Sequence, residues 1–442
     1  MADFVDRRYA AVQSMAQQNL ISPDQPAVGI VDLEAIRDQI ESLNWAFASI
    51  PDTMHMVACK SVTLVPLLRF LADQGMGCEV ASPGEFAMAE AAGFPADRIV
   101  LDSPAKTLAE IRHCLTVGAA MNIDSYQEMA RVERLREEID TASVIGVRVN
   151  PVVGSGSIGE MSTATTTTKF GIPLIDEASR EELVDAIAAR PWITQLHVHS
   201  GSQGIPLELA AEGISRIVAL AESVNEKVGR QQIVRLDIGG GLSVNFTSDE
   251  ITPTYHDYAD VIEKTAPELF SGKYTVLTEF GRSLLAKAGS IATIIEYTKK
   301  VGQRDFAIGH AGAQTATRTV FMPKSWPLRV SAFQGDGTPS RTENRIQDLA
   351  GPCCFSGDMI GREYVIPELA PGDIALIHDT GAYYFSTPFA YNALPRIPVY
   401  AYTVDDAGEV TWTTIRRQQT IAEILAEAGE DVRLEVPAPA GS

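Results

Sequence analysis

The residues able to do chemistry sit at the ends of short apolar runs. Lys60 closes Met56-Val57-Ala58-Cys59-Lys60, a stretch too brief for a helix and bounded upstream by Pro51-Asp52-Thr53. It reads as a buried strand delivering an amine into a cavity. Burial penalises an ammonium, which predicts a depressed pKa and a nucleophile suited to condensing with an aldehyde. The plain alternative is a lysine reaching for water. His197-Val198-His199 runs into Ser200-Gly201-Ser202-Gln203, Asp237 precedes Gly239-Gly240-Gly241, and Glu279-Phe280-Gly281-Arg282 follows later. Three consecutive glycines let backbone N–H groups crowd an anion such as a phosphate, a cradle that Ser202 and Arg282 could complete. The same glycines would equally serve a tight turn. His197 and His199 share a strand face and could ligate a metal, but no third ligand stands near in sequence, so no metal is expected.

Positioning these groups requires a repeated framework. Strands are expected at Lys60 and then at Cys78–Ala81, Ile99–Leu101, Met121–Ile123, Val144–Val149, Gln195–His199, Val234–Ile238 and Tyr274–Thr278. Amphipathic helical stretches such as Pro83–Ala92, Thr107–Thr116, Tyr126–Ile139, Arg180–Ala189 and Leu209–Lys227 separate most of them. Eight strands alternating with helices imply an α/β fold with a closed (β/α)8 barrel of TIM type, whose chemistry sits at the C-terminal strand ends. No G-x-G-x-x-G opens a helix, which disfavours an open doubly wound sheet.

Residues 1–25 read as a helix and a polar connector, and Ala27–Val31 as a strand followed by a helix that Asp32 caps. After about Leu285 helical periodicity fades. Ile291–Tyr297, Asp305–Ile308, Arg318–Phe321, Ile374–Ile377, Val399–Val404 and Val410–Ile415 read as strands of an antiparallel β domain, and Thr420–Ala428 as a short helix. The expected division is a barrel over 27–285, a β domain built from 1–26 and 286–436, and a tail over 437–442. Segment 154–168, rich in Gly, Ser and Thr, is either a loop over the site or a surface insertion.

Composition narrows the function classes. The chain has 442 residues, 45% of them hydrophobic and 21% charged, and a net charge of −21. Such an acidic surface repels nucleic acid and anionic membranes, so neither is an expected partner. No apolar run reaches membrane-spanning length. The five cysteines show no C-x-x-C spacing and read as reduced thiols. Met1-Ala2-Asp3-Phe4-Val5-Asp6 lacks a basic region followed by an apolar core, so the expected location is the cytoplasm.

One amine, one imidazole, an anion nest and a carboxylate at strand ends are what pyridoxal 5'-phosphate needs. The chain also resembles the fold-type III pyridoxal-phosphate decarboxylases, the diaminopimelate and ornithine decarboxylase family, which share the alanine-racemase-like barrel. The resemblance rests on Ala58-Cys59-Lys60, Val80–Glu85, Lys169–Ile172, His197–Ser202, Asp237–Gly241, Glu279–Arg282, Gly351–Asp358 and Gly381-Ala382-Tyr383, in the family's order. It implies that Lys60 joins the cofactor aldehyde, that His199 stacks on the ring, and that Glu279 keeps the ring nitrogen protonated. Ser202, Gly239, Gly240, Gly241, Gly281, Arg282 and Tyr383 would hold the phosphate. Cys354 would return a proton to the substrate carbon from the neighbouring subunit, making a homodimer with active sites at its interface. Arg318, Phe355 and Asp358 would meet the amino-acid substrate.

The departures are informative. The family's acidic residue after the cysteine, which meets a distal ammonium, is Phe355 here, and an aromatic ring cannot replace a carboxylate in an ion pair. The expected activity is decarboxylation of a free amino acid to an amine, on a substrate without an ordinary distal primary ammonium. The alternatives are diaminopimelate decarboxylation, in which Arg318 would grip a distal carboxylate, ornithine/lysine decarboxylation, and an amino-acid racemase on the same fold.

Overall fold

The computed structural model describes residues 4–434, so the expected tail at 437–442 lies outside the described residues. Eight parallel strands, Thr53–Ala58, Gly77–Val80, Ile99–Leu101, Ala120–Ile123, Ile145–Asn150, Ile193–His197, Arg235–Asp237 and Thr275–Phe280, pair in chain order, and the last pairs with the first. The cylinder is therefore closed. A two-residue strand, Ile172–Pro173, adds to the edge of Ile145–Asn150. Most of these strands are buried along nearly their whole length because helices cover them outside and side chains fill them inside.

The helices start and stop where local chemistry dictates. Ser82, Thr107, Ser125 and Thr254 each accept the backbone N–H of the third helical residue, and Gly93, Gly118 and Gly229 end helices in the left-handed conformation that glycine adopts without strain. Among the described residues no helix is long and apolar enough to cross a membrane.

The second sheet corrects three expectations. It is mixed: Ala27–Asp32 runs parallel to Val399–Val404, and Arg304–Gly309 runs parallel to Asn344–Ala350. The Arg304–Gly309 pairing is open to a parallel crossover because a helix, Ala313–Phe321, intervenes. That helix occupies the expected strand at Arg318–Phe321. A Thr/Val-rich run favours strands, but the Asp358 carboxylate accepts the Ala313 N–H at 2.6 Å and nucleates a helix instead. Finally, Ala27–Asp32 belongs to this sheet, between Val399–Val404 and Gly289–Val301, and not to the barrel unit. Its six residues are all buried, so its pattern suits either sheet.

The two units meet closely beneath the site. Gly381 packs on the backbone where Leu285 leads into Gly289; a Cβ there would collide with the Leu285 carbonyl oxygen and lie 2.7 Å from the Gly289 nitrogen. Two residues on, Tyr383 adopts φ 73° and donates its N–H to the Ser61 carbonyl at 2.8 Å. Gly381→Ala is accordingly expected to cost roughly 1–3 kcal/mol of stability, as overpacking does, and to loosen cofactor binding through Tyr383. Thermal unfolding and a cofactor titration on the variant check both effects.

Candidate active site

A cavity of about 380 Å³ opens at the C-terminal mouth of the barrel. Lys60, His199, Ser202, Gly241, Glu279, Gly281, Arg282, Arg318 and Tyr383 all line it. Residues more than 300 positions apart are thus brought to one chamber by strand ends and by the Gly381–Tyr383 turn.

Lys60 lies two residues beyond the strand expected to end on it. The strand ends at Ala58, and Cys59–Ser61 is a single 3-10 turn. Its backbone is pinned from the β domain, since Ser386 Oγ donates to the Lys60 carbonyl at 2.8 Å. The amine forms an ion pair with Glu79. The expected depression of its pKa is reversed. Burial lowers it, but Glu79, Tyr383 and Glu279 outweigh burial and hold it above its ordinary value. Burial in turn pushes Glu79 up to about 7, against the Lys60 ammonium and with the charges of Glu279 and Asp102 adding. Glu79 is therefore the counter-charge that holds the amine as its ammonium.

His199 Nδ1 accepts the Gly240 N–H at 3.1 Å. Burial and the Arg148 charge push it down to about 3, leaving a neutral ring with its proton on Nε2. The glycine run divides its work. Gly239 donates to Asp237 Oδ1 at 3.0 Å and Gly240 donates to His199, so two of the three N–H groups are spent on the turn. Only Gly241 of the three lines the cavity, and its φ of 105° requires glycine.

At one end of the chamber two guanidinium groups share two rings. Arg282 lies 4.3 Å from the Trp326 centroid and 4.5 Å from that of Tyr383, while Arg318 lies 4.3 Å from Tyr383 and 5.3 Å from Trp326. Among the described residues Arg282 Nε and Arg318 Nη1 are buried without hydrogen-bond partners, and burial draws Arg282 down to about 10. Stacked cations without a carboxylate make a site for an anion.

Glu279, also in the lining, is 4% exposed, and its Oε1 has no hydrogen-bond partner among the described residues. Its Oε2 lies 3.5 Å from His197 Nε2, and His197 Nδ1 lies 3.4 Å from Asp102 Oδ1. Acids near His197 in space, hidden by sequence distance, thus surround a histidine that looked isolated. Burial raises the Glu279 carboxyl, but His197 overrides it and the net direction is down.

Segment 154–168 folds against the mouth. Thr163 N–H donates to Ser200 O at 3.2 Å, Ser202 N–H to Met161 O at 3.0 Å, and Ser157 N–H to Gly204 O at 2.9 Å. Glu160, Met161 and Thr163 line the cavity, which favours the loop over the insertion. The sequence did not single out Glu79, Asp102, Arg148 or Glu160 as site residues. The first two carried one legible signal, an acid set in or directly after a short apolar strand.

Besides Gly239 and Gly240, three expected residues do not line this chamber. Cys354 is exposed, with its N–H donated to Asn392 Oδ1 at 2.8 Å. Phe355 stacks on Phe321 with centroids 5.7 Å apart and planes 4° from parallel. Asp358 is buried, and its oxygens accept the N–H groups of Ala313 and Cys353, each at 2.6 Å. Its carboxylate anchors the 351–358 loop, a correction to the substrate contact expected of it.

The donor set fits one cofactor. An unpartnered buried carboxylate oxygen suits a protonated ring nitrogen, a neutral imidazole suits a ring face, and the amine suits an aldehyde. Gly241, Ser202 and Arg282 suit a phosphate. Such a barrel defines an enzyme that works through a lysine-bound aldehyde cofactor.

Comparison with known proteins agrees. Residues 33–286 match the family described as pyridoxal-dependent decarboxylase, pyridoxal binding domain. The chain is 32% identical over 400 residues to the diaminopimelate decarboxylase of Pseudomonas fluorescens, covering 88% of this chain and 90% of that one. It is 29% identical over 365 residues to that of Aquifex aeolicus, covering 82% and 83%. Diaminopimelate decarboxylase from Helicobacter pylori, complexed with L-lysine, superposes with a TM-score of 0.80 at 25% identity, over 94% of this chain and 100% of that one. The chain belongs to the fold-type III pyridoxal-phosphate-dependent decarboxylases of the diaminopimelate and ornithine decarboxylase family, and it is an amino-acid carboxy-lyase.

Proposed function

We propose that the enzyme removes CO2 from a free α-amino acid whose far end carries a carboxylate, received by Arg318. The observation that carries this reading is Arg318 Nη1, buried without a hydrogen-bond partner among the described residues on a side chain that lines the chamber with Arg282. With Arg282 given to the cofactor phosphate, Arg318 is left for substrate. Phe355 offers an aromatic wall where a carboxylate would otherwise receive a distal ammonium, so the preferred substrate lacks that group or carries it blocked.

Pyridoxal phosphate, when bound, supplies an aldehyde that captures the substrate amine and a ring that takes up the electrons left as CO2 departs. Glu79 positions the Lys60 amine through their ion pair. His199 fixes the plane of the ring, and Glu279 accepts from the protonated ring nitrogen. Cys354 returns a proton to the α-carbon. Because Cys354 and Phe355 lie outside their own chain's chamber, we assign them to the chamber of a second copy in a head-to-tail homodimer.

A second reading, meso-diaminopimelate itself, is favoured by the names of the relatives and by Glu160, an exposed carboxylate that lines the chamber without an ion-pair partner among the described residues. The test is a panel of 2-aminopimelate, meso-diaminopimelate, lysine and ornithine scored by CO2 release. Arg318→Leu is expected to raise KM for the dicarboxylates by about 10- to 100-fold, the worth of a charged hydrogen bond, with kcat little changed. Glu160→Gln should weaken meso-diaminopimelate alone. Equal turnover of lysine and the dicarboxylates by the unaltered enzyme overturns the proposed role of Arg318.

A further inference from the structure

We propose that His197 is a positioning residue: as the imidazolium in a buried file running Arg148, Asp102, His197, Glu279, it keeps Glu279 ionised toward the cofactor's ring nitrogen. The inference rests on the cofactor class and not on the choice of substrate.

The file is laid out by strand register. Arg148 and His197 are paired residues on neighbouring strands, as are His197 and Asp237. Arg148 Nη1 lies 3.0 Å from Asp102 Oδ2, Asp102 Oδ1 lies 3.4 Å from His197 Nδ1, and His197 Nε2 lies 3.5 Å from Glu279 Oε2. His197 is 0% exposed, and it does not line the chamber. It therefore touches neither cofactor nor substrate, and whatever it does passes through Glu279.

Electrostatics gives the file its logic. A lone carboxylate this deeply buried would take up a proton instead of holding its charge. A neutral acid at position 279 could no longer hold a proton on the ring nitrogen by charge. The signs alternate along the file, plus, minus, plus, minus, so four ionised groups are buried with no net charge. One donor atom from each of Asp102, His197 and Glu279 lies within 4.8 Å of the others, so the imidazole sits between two carboxyl groups. The remaining groups facing His197 are Asp237 and His199. Burial, with the Glu279 charge adding, keeps the Asp237 carboxyl well above its ordinary range. His199 is neutral as described. His197 itself is held well above its ordinary value, because Asp102, Glu279 and Asp237 outweigh burial.

The contacts to His197 are longer than strong hydrogen bonds, so the coupling acts through charge. A neutral residue of similar shape should break it while leaving the packing nearly intact. The experiment uses His197→Asn and His197→Gln, with Asp102→Asn as a second entry into the same file should the histidine variants fold poorly. Two readouts need no substrate: affinity for pyridoxal phosphate, from fluorescence of the cofactor-stripped protein, and absorbance of the bound cofactor from pH 5 to 9.

The expected result is about tenfold or more weaker cofactor binding, the order of a lost charge-assisted contact, together with a cofactor absorbance that becomes pH-dependent where the unaltered enzyme is flat. In a Glu279→Gln background, His197→Asn should add less than about twofold, because the residue through which it acts is already neutral. Variants that keep a pH-flat absorbance overturn the proposal, and so do effects of His197→Asn and Glu279→Gln that simply multiply. A failed substrate panel with an intact cofactor response would leave it standing.

Discussion

Lys60→Ala is expected to abolish turnover, by about four orders of magnitude or more, as removal of a covalent catalyst does. The cofactor should still bind, held by Tyr383, Arg282, His199 and Glu279, but its absorbance should be that of the free aldehyde. The fold should survive for an electrostatic reason. The Lys60 ammonium opposes the rise of the Glu79 carboxyl, which already stands at about 7. Without that ammonium the carboxyl rises further and is neutral at pH 7, so no unpaired charge is left buried. The sign of the pH effect follows. The folded variant holds a proton on Glu79 that the unfolded chain releases above its ordinary value of 4.5. Stability must therefore fall as pH rises from about 5 toward 8. Melting curves across that range check it; a variant more stable at pH 8 than at pH 6 would contradict the pairing of Lys60 with Glu79.

The barrel was legible because its signal is redundant. Each of its eight strands is a short apolar run with a chemically capable or apolar end, and a misjudged edge of one or two residues leaves the alternation intact. The β domain offered no such redundancy. Asn344–Ala350 runs from three exposed residues into three buried ones, and Met359–Pro367 from a buried start to exposed Arg362 and Glu363, so neither shows the strict alternation that marks a strand. Ala313–Phe321 took a helical form set by Asp358, a carboxylate 45 residues on from the Ala313 N–H it accepts. A local pattern cannot report such a cap.

The site shows the same division. Lys60, His199, Ser202, Glu279, Arg282 and Tyr383 stood out because each sits in a short motif beside glycine or at a strand end. Glu79 and Asp102 stayed hidden because the interior of a barrel takes one side chain in two, and an acid there is indistinguishable from one on a rim until the partner strand is placed. The direction of the Lys60 shift was misread for that reason. Burial alone predicts a fall, and the neighbour that reverses it lies on the next strand, 19 residues on. The glycine run was read as a cradle or a turn, and it serves as both, because His199 and Asp237 consume two of its donors.

Cys354→Ala, tested alone, should cut turnover by about 10²- to 10⁴-fold, the range for a removed general acid, while leaving cofactor binding unchanged. Its decisive use is in combination. Cys354 lies outside its own chain's chamber, on an exposed loop held by Asn392 and Tyr391, so the proposed site needs a lysine from one chain and a thiol from another. Lys60→Ala protein and Cys354→Ala protein are each expected to be inactive. Mixed in equal amounts and allowed to exchange subunits, half of the dimers pair the two variants. Each such dimer has one chamber with both groups intact and one with neither, so activity should return to about a quarter of the unaltered level, as two-fold pairing dictates. A cysteine acting within its own chain would give no recovery at any mixing ratio, because no chain in the mixture carries both groups. Recovery near a quarter would establish at once the second copy, its head-to-tail orientation and the side from which the proton reaches the substrate.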